Sequence, residues 1–352
     1  MTKAKHLIKS CTALSTSIII TTKIFSKKTT NKKIIMKADE KATYGEELKE
    51  EIKRLKKEKG AVILAHYYQQ GDIQDLADFI GDRLALAQIA RTLKEDVIVL
   101  CGVHFMGETA KILCPEKTVL VPDENAGCSL ADSCQADDFA KFIKDHPDHI
   151  MLSYVNTSAA VKALTDIVVT SSNALSIVNK LPEDAKIIFG PDRNLGGYIN
   201  RITGRDMLLW NGACHVHEQF SVEKLIELKK ANPNAEVLAH PECKKVVLML
   251  ADVVGSTAKL LKHSQESDCK KFIVATESGI LHEMRKSCPD KEFIPLPPTD
   301  STCGCNDCSY MKLNTLEKLR DCLKNGYPAI EVDAETASKA VKPIERMLEM
   351  SK

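Results

Sequence analysis

The sequence lacks any apolar run long enough to cross a bilayer; in its first 37 residues the run Ile18 to Ile20 is far too short. No membrane association is therefore expected. The same 37 residues lack every acidic side chain and arginine, yet hold nine lysines and eleven serines or threonines. Two readings fit such a leader: an organelle-targeting peptide, or an untranslated extension ahead of a true start at Met36. Residues 1–40 are accordingly set aside as a basic N-terminal extension. The expected location is cytoplasmic, or an organelle if residues 1–37 are a transit peptide. With the leader removed from the formal charge of +1, the rest of the 352-residue chain is mildly acidic, which excludes nucleic acid as an obvious partner.

A convincing secretory signal is also missing. The thirteen cysteines therefore point to thiol or metal chemistry in a reducing compartment, not to a disulfide framework. The sequence has no second C-x-x-C at zinc-ribbon spacing and no C-x-x-x-C-x-x-C. Its one C-x-x-C lies in "CGCNDC" at Cys303, Cys305 and Cys308, compatible with half a zinc site, a redox pair that includes Cys305, or a cluster ligand with spare thiols.

What is present is a repeat. Three segments are alike: "VILAHYYQQGDIQDLADFIGDRLALAQ" from Val62, "IMLSYVNTSAAVKALTDIVVTSSNALS" from Ile150 and "EVLAHPECKKVVLMLADVVGSTAKLLK" from Glu236. Anchored on His66, Tyr154 and His240, each has an Asp twelve residues on (Asp78, Asp166, Asp252). Each also has a polar residue seventeen on (Arg83, Ser171, Thr257). Their second halves, "VIVLCGVHFMGETAKIL", "IIFGPDRNLGGYINRIT" and "FIVATESGILHEMRKSC", each read as a buried strand entering a helix, followed by another strand. The expected fold is α/β: three pseudo-threefold-related α/β/α sandwich domains with parallel sheets around a central site, spanning 41–132, 133–218 and 219–352, the last with C-terminal helices.

In such sheets ligands sit beyond the carboxyl ends of the strands, beside helix N-termini. His66, Tyr68, Tyr154, Asn156, His240 and Glu242 fall there, while Ser171, Ser256 and Thr257 are expected where the next helices begin. The bland alternative for those hydroxyls is N-capping. Near the end of each unit lies a cysteine, Cys128, Cys214 and Cys308, at 62, 60 and 68 residues from the anchors. If the units face a common axis, three thiolates meet. They cannot complete a structural zinc tetrahedron, but they suit an iron–sulfur cluster with one iron open to substrate. Cys101, Cys114, Cys243, Cys269, Cys288 and Cys322 read as packing residues; Cys134, six residues after Cys128, stays open between the two. His217 is a weak candidate for a bond near the cluster. Arg193, Arg201 and Arg205 read as anion-attracting or simply solvated.

The strings "AHYYQ", "GVHFMGETAKIL", "YVNTSAAVKA", "VVTSSNA", "NGACHVHEQF", "AHPE", "ADVVGSTAKL" and "CSYMKLNTLEKL", in this order, resemble the quinolinate synthase family from about Tyr44 to the C-terminus. The resemblance implies a 4Fe-4S cluster on Cys128, Cys214 and Cys308. It also implies condensation of iminoaspartate with dihydroxyacetone phosphate to quinolinate, in the synthesis of NAD. Carried over residue by residue, the substrate-binding set is His66, Tyr154, Val155, Asn156, Ser171, His240, Pro241, Glu242, Ser256 and Thr257. Glu242 and Tyr68 are the expected base and acid, with His66 and His240 assisting; the alternative for Glu242 is orienting substrate or shielding the cluster. Implied partners are an imine-supplying aspartate oxidase or dehydrogenase and iron–sulfur assembly machinery. Where the family usually reads "GDSL" this chain reads "GDRL", placing Arg83 at a substrate-contacting serine, where it can pair with an anion or fill the pocket. The competing readings are an aconitase-like hydro-lyase, a non-catalytic iron–sulfur sensor or scaffold, and a zinc-stabilised α/β protein.

Overall fold

The computed structural model of the chain describes residues 38–300 and 306–352. The leader, the start at Met36, and the redox pairing that involves Cys303 or Cys305 fall outside the described residues. Residues Ala42–Lys352 form one compact unit. Among the described residues, no helix is long and apolar enough to cross a membrane.

Twelve strands make three four-stranded sheets. The first holds β1 (Ala61–His66), β2 (Phe79–Gly81), β3 (Val97–Cys101) and β4 (Thr118–Leu120), in the order β2-β1-β3-β4. The second holds β5 (Ile150–Tyr154), β6 (Ile167–Val169), β7 (Ile187–Gly190) and β8 (Leu208–Leu209). The third holds β9 (Glu236–Ala239), β10 (Val253–Val254), β11 (Lys271–Ala275) and β12 (Glu292–Pro295), and both repeat the order of the first. Every pairing is parallel. Helices cover both faces of such sheets, so the central strands are apolar on both sides: every residue of β1 and of β7 is buried.

The Asp at the fixed offset of twelve has a structural task. Asp78, Asp166 and Asp252 stand just before or beside the short edge strand, and each carboxylate accepts the amide of an early residue in the central strand: Ile63, Met151 and Val237, all at 2.8 Å. The same residues return their own amides to the carbonyls of Ile63, Met151 and Val237. This two-way clamp fixes edge strand to central strand in each copy, and so explains why the spacing recurs.

The residue five positions further on differs between copies. Arg83 and Thr257 are the first residues of helices Arg83–Thr92 and Thr257–Glu266, capped by Asp82 and Ser256. Ser171 does not begin a helix. Asn173 accepts the Thr170 amide at 2.6 Å, closing a turn, and the helix starts only at Ala174.

Helices Leu316–Asn325 and Ala334–Met350 follow the third sheet in sequence but pack elsewhere. Leu319, Cys322 and Leu323 share a core with Ile63 and Val99 of the first sheet and with Ile52 of the N-terminal helix. Ile344, Met347 and Leu348 share one with Val168 and Val169 of the second. Beneath that last helix, Lys162 is wholly buried, its Nζ donating to the Thr157 carbonyl and lying 5.3 Å from the Phe105 ring centroid.

Candidate functional site

The order β2-β1-β3-β4 reverses direction at β1 and β3, so the chain leaves the carboxyl ends of these strands in opposite senses and opens a crevice. His66 ends β1, Tyr154 ends β5, and His240 follows β9. The two histidines are held alike. His66 Nδ1 accepts the Tyr68 amide at 3.1 Å and His240 Nδ1 accepts the Glu242 amide at 3.3 Å. Each ring must then carry its proton on Nε2. Burial lowers both imidazoles, His240 to about 3, so both are neutral donors. His240 Nε2 reaches the Ser171 hydroxyl at 3.2 Å; His66 Nε2 has no partner among the described residues.

Glu242 is wholly buried. Its Oε1 accepts the Tyr154 hydroxyl at 2.5 Å, and its Oε2 lies 3.0 Å from His217 Nδ1. Burial pushes this carboxyl up, but the His217 contact and the fixed charge of Arg83 outweigh it and hold the acid well below the usual range. Glu242 is therefore ionised at neutral pH. Burial raises Tyr68 and Tyr154 well above 10, so both phenols keep their protons. The Tyr68 hydroxyl meets Thr276 Oγ1 at 2.7 Å, and Thr276 Oγ1 meets His217 Nε2 at 3.0 Å. Tyr68, Thr276, His217, Glu242 and Tyr154 thus form a continuous polar line drawn from all three copies.

Cys128, Cys214 and Cys308 are half-buried and line one small cavity together with Tyr68, Arg83, Asn156, His217 and Glu277. Cys101, Cys114, Cys243, Cys288 and Cys322 are buried, as packing residues should be. Cys134 joins them, packed with Phe139, Met151, Val161 and Ile188. Cys269 is only partly buried but packs against the core around Leu238 and Phe272, with Sγ facing the carbonyls of Asn234 and Lys271. Burial pushes the Cys128 thiol up to about 12 and raises Cys214 and Cys308 as well. Three thiols kept neutral by burial become thiolates only with a cation among them, so the donor set suits a metal centre on sulfur. Cys214 Sγ also lies within 4.8 Å of ligand atoms of His217 and Glu242.

Two acids that sequence reasoning missed hold the cysteine loops. In register, Ala65, Ser153 and Ala239 pair with Cys101, Gly190 and Ala275. Two residues past each partner come Val103, Asp192 and Glu277. Asp192 accepts the Cys214 amide at 3.2 Å, and Glu277 accepts the Cys308 amide at 3.0 Å. Glu277 is also paired with Lys312 at 2.8 Å. Comparing the three positions after the third strand of each copy would have found these acids. His217, weak on sequence, is 1% exposed and touches Cys214 Sγ at 3.2 Å.

The remaining expected site residues divide. Asn156 and Thr257 are buried, and neither Asn156 Oδ1 nor Thr257 Oγ1 has a partner among the described residues. Val155 is buried, its amide given to Val169. Ser256 is committed to its helix cap, accepting the Lys259 amide. With Ser171 and Pro241 it lines a separate cavity, which His240 adjoins through Ser171. Arg83 points inward, its Nη1 3.5 Å from the Tyr154 hydroxyl. The other arginines do not reach the site: Arg193 pairs with Glu218, Arg201 covers Tyr198, and Arg205 donates to carbonyls from Val178 to Glu183.

Three parallel sheets that turn acid–base groups and thiols into a shared crevice make this an α/β enzyme with a candidate metal centre on cysteine sulfur. Within that class the chain belongs to the quinolinate synthetase A protein family, whose model matches residues 50–349. It is 58% identical over 306 residues to the quinolinate synthase of Chloroherpeton thalassium, covering 87% of this chain and 95% of that one. Quinolinate synthases of Microcystis aeruginosa (58% over 300 residues) and a Synechocystis species (57% over 300 residues) each align with 85% of this chain and 94% of their own length.

Proposed function

We propose that this protein condenses iminoaspartate with dihydroxyacetone phosphate to quinolinate, with loss of water and phosphate, for NAD synthesis. The observation that carries the reading is a cavity where three cysteines meet buried Arg83 and Asn156, with Arg83 Nε and Asn156 Oδ1 lacking partners among the described residues. An unsatisfied buried donor or acceptor costs about 1–3 kcal/mol, which a polar, multiply charged ligand would recover.

Cys128, Cys214 and Cys308 would hold a 4Fe-4S cluster: the donors are soft sulfur, and among the described residues no fourth cysteine lines the cavity. When bound, it supplies Lewis acidity through the iron that no cysteine holds. Glu242 takes up a proton at its carboxylate, Tyr68 gives one from its phenol, and Thr276 and His217 hold these groups in line. His66 and His240 donate from Nε2 to substrate oxygens, His240 with Ser171 beside it. Tyr154, Asn156 and Thr257 orient the reactants, while Val155, Pro241 and Ser256 shape the walls. The units 41–132, 133–218 and 219–352 each contribute one thiol. An aspartate oxidase or dehydrogenase supplies the hydrolysable imine, assembly machinery supplies the cluster, and a reducing compartment, the cytoplasm, preserves it.

The test is anaerobic purification, measurement of iron and sulfide, and assay of both substrates together. About four irons and four sulfides per chain with formation of quinolinate bear the reading out. Turnover of citrate instead would mark an aconitase-like hydro-lyase; a loaded protein with no turnover of either would mark a sensor.

A further inference from the structure

Arg83 is 9% exposed, and among the described residues no carboxylate lies within 4.0 Å of its guanidinium. Among the described residues its one hydrogen bond, Nη1 to the Tyr154 hydroxyl, is at the 3.5 Å limit, and Nε has none. The guanidinium carbon sits 5.8 Å from the Tyr68 ring centroid and 5.9 Å from that of Tyr154. Two aromatic faces therefore fix the planar fork without using its donors. The same side chain lines the cavity with Cys128 and Asn156. Glu242 is not within 4.0 Å of it and spends Oε1 on the Tyr154 hydroxyl. A fixed, desolvated cation with open donors, facing a cavity, is half of an ion pair.

We propose that Arg83 is the oxyanion-binding residue of this site, holding a carboxylate or phosphate group of the ligand. The inference rests on the proposed reaction for the identity of that ligand. The shared chemistry is a planar or tetrahedral oxyanion accepting from Nε and an Nη, and the two reactants offer one of each kind.

The experiment uses anaerobically prepared, iron-loaded protein and titration calorimetry with two probes, pyridine-2,3-dicarboxylate and glycerol 3-phosphate, on wild type, Arg83→Gln and Arg83→Lys. Loss of a charge-assisted bond weakens binding roughly 10- to 100-fold. A loss confined to the dicarboxylate assigns the carboxylate, one confined to the phosphate ester assigns the phosphate, and a loss for both assigns a shared position. Unchanged affinity for both overturns the proposal. So does a variant that loses iron while still binding both probes as tightly, since Arg83 would then serve the cysteines. If Arg83→Gln fails to fold, Arg83→Lys decides: it keeps the charge but not the fork, and affinity equal to wild type overturns the proposal. No turnover is needed, so a protein that binds through Arg83 yet forms no quinolinate sinks the proposed reaction alone. One that forms quinolinate with Arg83→Gln binding unchanged sinks only this inference.

Discussion

Lys162 offers a prediction whose size follows from its position. Its ammonium is wholly buried, meets the Thr157 carbonyl and the Phe105 face, and has no carboxylate within ion-pair distance among the described residues. Burial lowers its pKa to about 8 from an ordinary 10.5, against a weaker opposing pull from Glu108. Below pH 8 the lysine is charged both folded and unfolded, and its full burial penalty weighs on the native state. Between about 8 and 10.5 the unfolded chain binds the extra proton, so stability rises with pH. At 1.36 kcal/mol per unit the whole span is about 3 kcal/mol, of which about 2 kcal/mol accrues by pH 9.5. Lys162→Met has nothing to titrate there. The wild-type unfolding free energy minus that of the variant should therefore grow by about 2 kcal/mol from pH 7.5 to 9.5. With about 2 cal/mol/K of unfolding entropy per residue, that is roughly 3 °C in the difference of thermal midpoints. Taking the difference cancels the other lysines and tyrosines that titrate in this range. A difference flat to within about 0.5 kcal/mol would refute the argument, because the ammonium would then have to be as well solvated as in water.

Glu242→Gln removes the ionised oxygen while keeping the Tyr154 contact, and is expected to lower kcat by about 10²–10⁴ with the iron content intact, as read by steady-state assay and iron analysis; a loss under tenfold removes Glu242 as the base. Cys128→Ser should lose iron at little cost in stability, whereas Cys134→Ser, packed against Phe139 and Ile188, should keep iron and lower the unfolding free energy by about 1–3 kcal/mol. Iron counts and urea melts on the two variants check the contrast.

The three sheets were legible because parallel strands buried on both faces read as short apolar runs, and because the repeat fixed their count. The cysteine trio was legible for the same reason, from similar distances to three anchors. Other features depend on contacts that spacing does not encode. The recurrent Asp shows only as a fixed spacing, and its strand clamp appears once the sheets are built. Ser171 sits at a helix start by analogy, yet Asn173 closes a turn and delays the helix. Cys134 and Cys128 share a loop, and only the direction of each side chain separates core from cavity. His217 and Thr276, distant in sequence, gain meaning when two sheets meet. Asp192 and Glu277 lie in plain view, but their task appears only once each is seen beneath the amide of a cysteine.

The helices at the end of the chain, laid over the first and second sheets, have a consequence for synthesis. Ile63 and Val99 are made well before Leu319, Cys322 and Leu323, which cover them. A nascent chain must therefore keep an uncovered greasy face until helix Leu316–Asn325 has been made. Truncation ahead of Leu316 would reopen that face, so that losing a late segment makes an early one insoluble.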